Sequence, residues 1–189
     1  RVGGALLATI NAGEYFFVPA SNFSAVGNMY VETSQPSFLY QNTSSNNWDG
    51  NALNFIPPLR CNGTNAVVIG APRLIGFNVD AVVIARAGAT VTVTADGDPV
   101  TGSAAAAVPG TSDWVTYAYK VPAETDVLAV TSTNVVNVSL VIKAGDRGAA
   151  SFYSGFADSP SITAEGTELC QTGPITLTAE GAGFASFQW

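Results

Sequence analysis

Apolar and polar residues alternate with a period of two through most of this chain, which restricts it to half-buried β-strands. In Thr90-Val91-Thr92-Val93-Thr94-Ala95 the valines point one way and the threonines the other. Asp96-Gly97 follows, a favoured hairpin turn because both residues tolerate positive φ. Val115, Tyr117, Tyr119 and Val121 alternate with Thr116, Ala118 and Lys120. Val136, Val138, Leu140 and Ile142 form one apolar face, with Asn137 and Ser139 on a face expected to be solvated. Further strands are predicted over 14–18, 29–33, 37–41, 66–69, 82–86, 127–131 and 151–156, and residues 4–10 also read as strand-like.

Turn-forming clusters separate these runs: Asn11-Ala12-Gly13, residues 42–51, Asn62-Gly63-Thr64, residues 109–112 and Ala144-Gly145-Asp146. Asp146 and Arg147 read as a surface turn. Helical patterning is nearly absent. Residues 103–108 contain four consecutive alanines, but Pro109 stops them, so one helical turn is the most they predict. The fold class is therefore all-β: strands at this spacing suit a sandwich or a barrel, and an antiparallel β-sandwich is the expectation.

A boundary is expected near Ser159-Pro160, giving a sandwich domain over 1–159 and a second unit over 160–189. In the second unit, Ser161-Ile162-Thr163-Ala164, Leu169-Cys170, residues 175–179 and residues 184–189 read as new short strands. So few strands cannot close a core, which suggests that this unit is incomplete and that the chain is a window on a longer polypeptide. Arg1 leads straight into strand-like sequence, so an export signal would lie outside it.

Composition excludes several functions. Of 189 residues, 47 % are hydrophobic and only 11 % charged, so the chain has the means to bury a core. No apolar run approaches the roughly 20 residues of a transmembrane helix. The net charge is −7, with seven Lys and Arg residues spread over the whole length. That cannot supply the cationic face that neutralises nucleic-acid phosphates or seeks anionic lipid.

The chain has no histidine, which removes the usual general base, the commonest metal ligand and the Ser-His and Cys-His nucleophile pairs. Cys61 and Cys170 belong to no metal-binding cluster, although they could pair with each other. Neither catalysis nor a metal or cofactor is expected.

Three features carry candidate chemistry. Four N-x-S/T sequons begin at Asn22, Asn42, Asn62 and Asn137, which suit glycan attachment but also arise by chance in an Asn-, Ser- and Thr-rich chain. Asp96-Gly97-Asp98 offers oxygens to calcium, yet it lacks a full calcium-loop spacing and suits a hairpin better. The polar segment 41–51 carries Asn46, Asn47, Trp48 and Asp49, the candidate binding residues. An indole can stack on a sugar ring while Asn and Asp bond its hydroxyls; the plainer alternative is a capped loop whose Trp48 folds onto the sandwich edge.

Two stretches resemble known families. The tail, with Leu169-Cys170-Gln171-Thr172-Gly173-Pro174, then Ile175-Thr176-Leu177-Thr178-Ala179 and Phe187-Gln188-Trp189, resembles the start of immunoglobulin-like repeats in large secreted proteins of Bacteroidota. The resemblance implies that Trp189 packs on a disulfide from Cys170 to a cysteine beyond Trp189. The body carries Gly27-Asn28-Met29-Tyr30-Val31-Glu32-Thr33-Ser34, Phe38-Leu39-Tyr40-Gln41, Asn54-Phe55-Ile56-Pro57-Pro58-Leu59-Arg60-Cys61 and Phe152-Tyr153-Ser154-Gly155-Phe156. These segments resemble a domain related to the N-terminal region of IgG-Fc-binding protein, found in similar surface proteins.

Together the resemblances imply export by the type 9 secretion route, display at the bacterial cell surface and neighbouring immunoglobulin-like repeats. The expected function is a non-catalytic adhesive or structural module of a surface protein involved in attachment or gliding motility. Its partners would be other domains of the same polypeptide, surface glycans or the secretion machinery. The competing expectation is a carbohydrate-binding module of a secreted polysaccharide-degrading enzyme.

Overall fold

The computed structural model describes residues 1–42, 53–60, 63–70, 77–144, 147–155, 161–165 and 176–180. Among the described residues, eleven strands build the body: β1 (Leu39–Asn42), β2 (Leu53–Ile56), β3 (Ala66–Gly70), β4 (Asn78–Arg86), β5 (Val91–Ala95), β6 (Asp98–Pro99), β7 (Ala106–Ala107), β8 (Trp114–Val121), β9 (Val127–Ser132), β10 (Val136–Ala144) and β11 (Arg147–Phe152). They form a five-stranded sheet in the order β11-β10-β4-β8-β7, a four-stranded sheet in the order β3-β9-β5-β6, and the hairpin β1-β2. Two further strands, β12 (Ser161–Glu165) and β13 (Thr176–Glu180), pair with each other, Ile162 opposite Ala179. Every strand pairing is antiparallel.

The alternation in the sequence explains the core. Val67 and Ile69, Val93 and Ala95, and Leu128 and Val130 come from the four-stranded sheet. They meet Ala81, Val83, Tyr119, Val136, Val138 and Leu140 from the five-stranded sheet in one buried cluster. Each fully buried Val, Leu or Ile contributes about 1.5–3 kcal/mol relative to exposure, so this cluster is the main favourable term in folding. The chain is an all-β antiparallel sandwich, as its patterning predicts.

The Asp96-Gly97 turn forms the β5–β6 hairpin, with φ of 52° and 92° at the two residues. The Asp96 carboxylate accepts hydrogen bonds from the backbone N–H groups of Asp126 (3.0 Å) and Val127 (2.8 Å). It thereby fixes the start of β9, a structural use of the oxygens that calcium would need.

Several sequence expectations are corrected. Residues 4–10, 14–18 and 29–33 are not strands; Val2 and Val31 make only an isolated bridge. Strand propensity becomes strand only where a neighbouring ladder satisfies the backbone. This N-terminal arm is instead held by turns and side-chain bonds, including one around Gly13 with φ 82°.

Residues 103–108 make no helical turn. Four alanines are too few to nucleate a helix, and the backbone of β8 offers a ladder: Ser103 N–H donates to Ala118 O at 2.8 Å and Ala106 pairs with Thr116. Arg147 opens β11 rather than a turn; Asp146 lies outside the described residues.

Asn137 is also misplaced by its pattern. It is only 3 % exposed, because β2 packs against β11 and the Ser154-Gly155 segment closes over the second face of β10. Ser139 is buried there too and donates to Ser151 O at 3.1 Å, while Val138 N–H donates to Ser154 Oγ at 3.0 Å. The Nδ2 groups of Asn54 and Asn137 are buried in this region without a hydrogen-bond partner among the described residues. A glycan on Asn137 is incompatible with this burial.

Candidate contact surface

The β1–β2 hairpin presents two chemically different faces. Tyr40 stands opposite Phe55, and Gln41 opposite Asn54. Because side chains alternate across a strand, Asn54 and Ile56 turn toward the sandwich, while Tyr40, Leu53 and Phe55 turn away from it. Asn54 is buried, whereas Phe38 is 81 %, Leu53 71 % and Tyr40 54 % exposed.

The rings form a cluster. Phe38 and Phe55 have centroids 6.1 Å apart at 54°, and Tyr40 meets Phe55 edge-on at 5.5 Å and 65°. Such pairing fixes ring orientation and contributes about 0.5–1.5 kcal/mol per pair beyond area burial. Phe38 and Tyr40 are exposed while Phe55 is half-buried, so the cluster differs from scattered surface apolar residues in holding two open rings against a third.

Asn46, Asn47, Trp48 and Asp49 fall in the sequence between β1 and β2 and lie outside the described residues, as do Cys61, Cys170 and Trp189. Sequence patterning alone does not reveal the aromatic cluster. Its one signal is the Phe38/Tyr40 alternation, which ordinarily marks a buried face; the register with β2 adds Phe55 to the cluster, and the exposure of Phe38 and Tyr40 shows that the face is outward.

A second feature lies on the outer face of the five-stranded sheet. Lys120 on β8 stands directly opposite Asp80 on β4, and Lys143 on β10 reaches Asp80 with Nζ to Oδ2 3.5 Å. These three charges border a shallow, open trough of about 530 Å³ whose floor includes Val82, Ala118 and Val141. Elsewhere Arg86 pairs with Asp113 at 3.2 Å and lies 4.9 Å from the centroid of the Trp114 ring, a structural use of that cation.

Among the described residues, no three His, Cys, Asp or Glu side chains converge to hold a metal ion, and no helix is long and apolar enough to cross a membrane. Comparison with protein-family models, curated proteins and solved structures yields no match.

Proposed function

We propose that this chain is a non-catalytic extracellular module of a large bacterial cell-surface protein, exported by a type 9 route and acting in adhesion by surface contact. On this reading residues 1–159 form the contact domain and 160–189 begin an immunoglobulin-like repeat. The observation that supports it most is the outward aromatic cluster of Phe38, Tyr40 and Phe55 on the β1–β2 hairpin. Aromatic faces recognise apolar faces of partners, including sugar rings, without any reaction. The lack of histidine throughout the sequence supports contact over catalysis.

One ring cluster binds weakly, so useful adhesion would come from many copies on one polypeptide or one surface. The second reading is a carbohydrate-binding module linked to a secreted polysaccharide-degrading enzyme. It is favoured by the same rings together with Trp48, Asn46, Asn47 and Asp49 in the connection between their strands. Glycan-array binding of the intact chain, with and without chelator, tests the contact surface. Weakening by both Tyr40→Ser and Trp48→Ala supports it; unchanged binding in both removes the hairpin as the contact site.

A further inference from the structure

We propose that the trough over Lys120, Asp80 and Lys143 binds a hexuronate unit of an acidic polysaccharide. This goes beyond surface contact by the hairpin and rests on different residues. Lys120 and Lys143 are the only lysines in a chain of net charge −7, and the fold brings both to one face of one sheet. Far apart in sequence, they meet because β4 lies between β8 and β10 and places Asp80 between them.

The charges set the ligand class. Two ammonium groups and one carboxylate leave a local excess of one positive charge, which a single carboxylate balances. A dianionic phosphate would overcompensate and be repelled by Asp80. The Lys143–Asp80 contact of 3.5 Å is long for a charge-assisted hydrogen bond, and both side chains are partly open to water, at 55 % and 31 % exposure. Lys120 is exposed and has no ion-pair partner among the described residues. Little desolvated bonding must therefore be broken for a ligand carboxylate to bind.

The backbone argues for a sugar over a peptide. β4, the strand at the centre of the trough, is paired along its length with β10 on one side and β8 on the other, so its ladder cannot take an added peptide strand; β8 is covered on its far side by the short β7 and the Gly102–Tyr119 bridge over only part of its length. Recognition there must use side chains. Val82, Ala118 and Val141 give a flat apolar floor for the C–H face of a pyranose, while Thr101 and the second Asp80 oxygen can bond its hydroxyls. Gly102 lets the trough wall approach closely, since a Cβ there would run into the Tyr119 ring.

The test is backbone-amide NMR of the intact chain titrated with oligogalacturonate, its methyl-esterified neutral form, and inorganic phosphate. The expected result is salt-sensitive perturbation of β4, β8 and β10 by oligogalacturonate. The neutral form should do little and phosphate should bind more weakly. Lys120→Gln with Lys143→Gln, checked for an unchanged fold from the same spectra, should weaken binding by about tenfold or more. Asp80→Asn should tighten it by removing the competing carboxylate.

No perturbation at millimolar ligand, equal binding of the neutral form, phosphate binding as tight as oligogalacturonate, or weaker binding by a folded Asp80→Asn chain would each overturn the proposal. Perturbation confined to Phe38, Tyr40 and Phe55 would also overturn it, while leaving the hairpin contact surface standing.

Discussion

Asn28 Nδ2 donates hydrogen bonds to Thr116 Oγ1 at 2.9 Å and Ala107 O at 3.0 Å, tying the N-terminal arm to β8 and β7 from sequence distances of 88 and 79 residues. Its Oδ1 accepts from Ser24 Oγ at 2.6 Å, so the buried amide is used at both ends. Asn28→Ala leaves the Ala107 and Thr116 groups without their donor and should cost about 1–3 kcal/mol. The urea midpoint should fall, and exchange should accelerate at the amides of Gly3 and Glu32, which bond within the arm to Tyr30 O and Arg1 O. Unchanged exchange there would show that the arm is held without Asn28.

Two glycines separate backbone strain from crowding. A methyl group added at Gly27 (φ 80°) would sit in open space, whereas at Gly110 (φ 92°) it would lie 2.5 Å from Gly3 Cα. Gly27→Ala should cost about 1–2 kcal/mol, the left-handed backbone penalty alone. Gly110→Ala should cost distinctly more, because the arm must also shift. Equal losses in denaturant titrations would contradict this packing of the arm on the 109–112 turn.

Stability should fall at alkaline pH partly through Tyr119. Burial, aided by the nearby Tyr117, raises its phenol above the ordinary value. The unfolded chain therefore ionises first, near pH 10. The stabilisation of the neutral phenol is full below that value and is lost as pH rises through the folded value. Tyr119→Phe should flatten the alkaline limb of the stability profile; an unchanged limb would refute the assignment. Glu14 has the opposite sign: bonds from the Asn11 backbone and side-chain amides lower its pKa. The turn it closes should hold above the ordinary glutamate range and loosen as pH falls through the lowered value. The Asn11 amide resonance should report this.

The strands that can be read from sequence are those whose evidence is local. The β5–β6 hairpin announces itself through valine–threonine alternation ending in Asp-Gly, and Val136, Val138 and Leu140 mark their core face by period alone. Burial of Asn137 is not legible in this way, because its cover comes from β2 and Ser154, each distant from it in sequence or turned back by a loop. The strand-like arm misleads for a related reason: propensity does not reveal whether a sheet edge is available. Lys120 and Lys143 give no local sign of meeting, since only the strand order around β4 joins them. The same holds for the outward direction of Tyr40, which depends on the opposite face of the hairpin, with Asn54, being the one that is buried.

The proposed contact role of the hairpin's aromatic face, without turnover, is tested most directly by affinity electrophoresis. The intact chain is run through gels containing neutral polysaccharides, with released reducing ends assayed in parallel. Retention by at least one polysaccharide and no release of reducing ends are expected. Phe38→Ser and Tyr40→Ser should each weaken retention by about 2- to 10-fold, the equivalent of one stacked ring. Release of reducing ends at an enzymatic rate, or retention unchanged in the double variant, would contradict a contact role for this face.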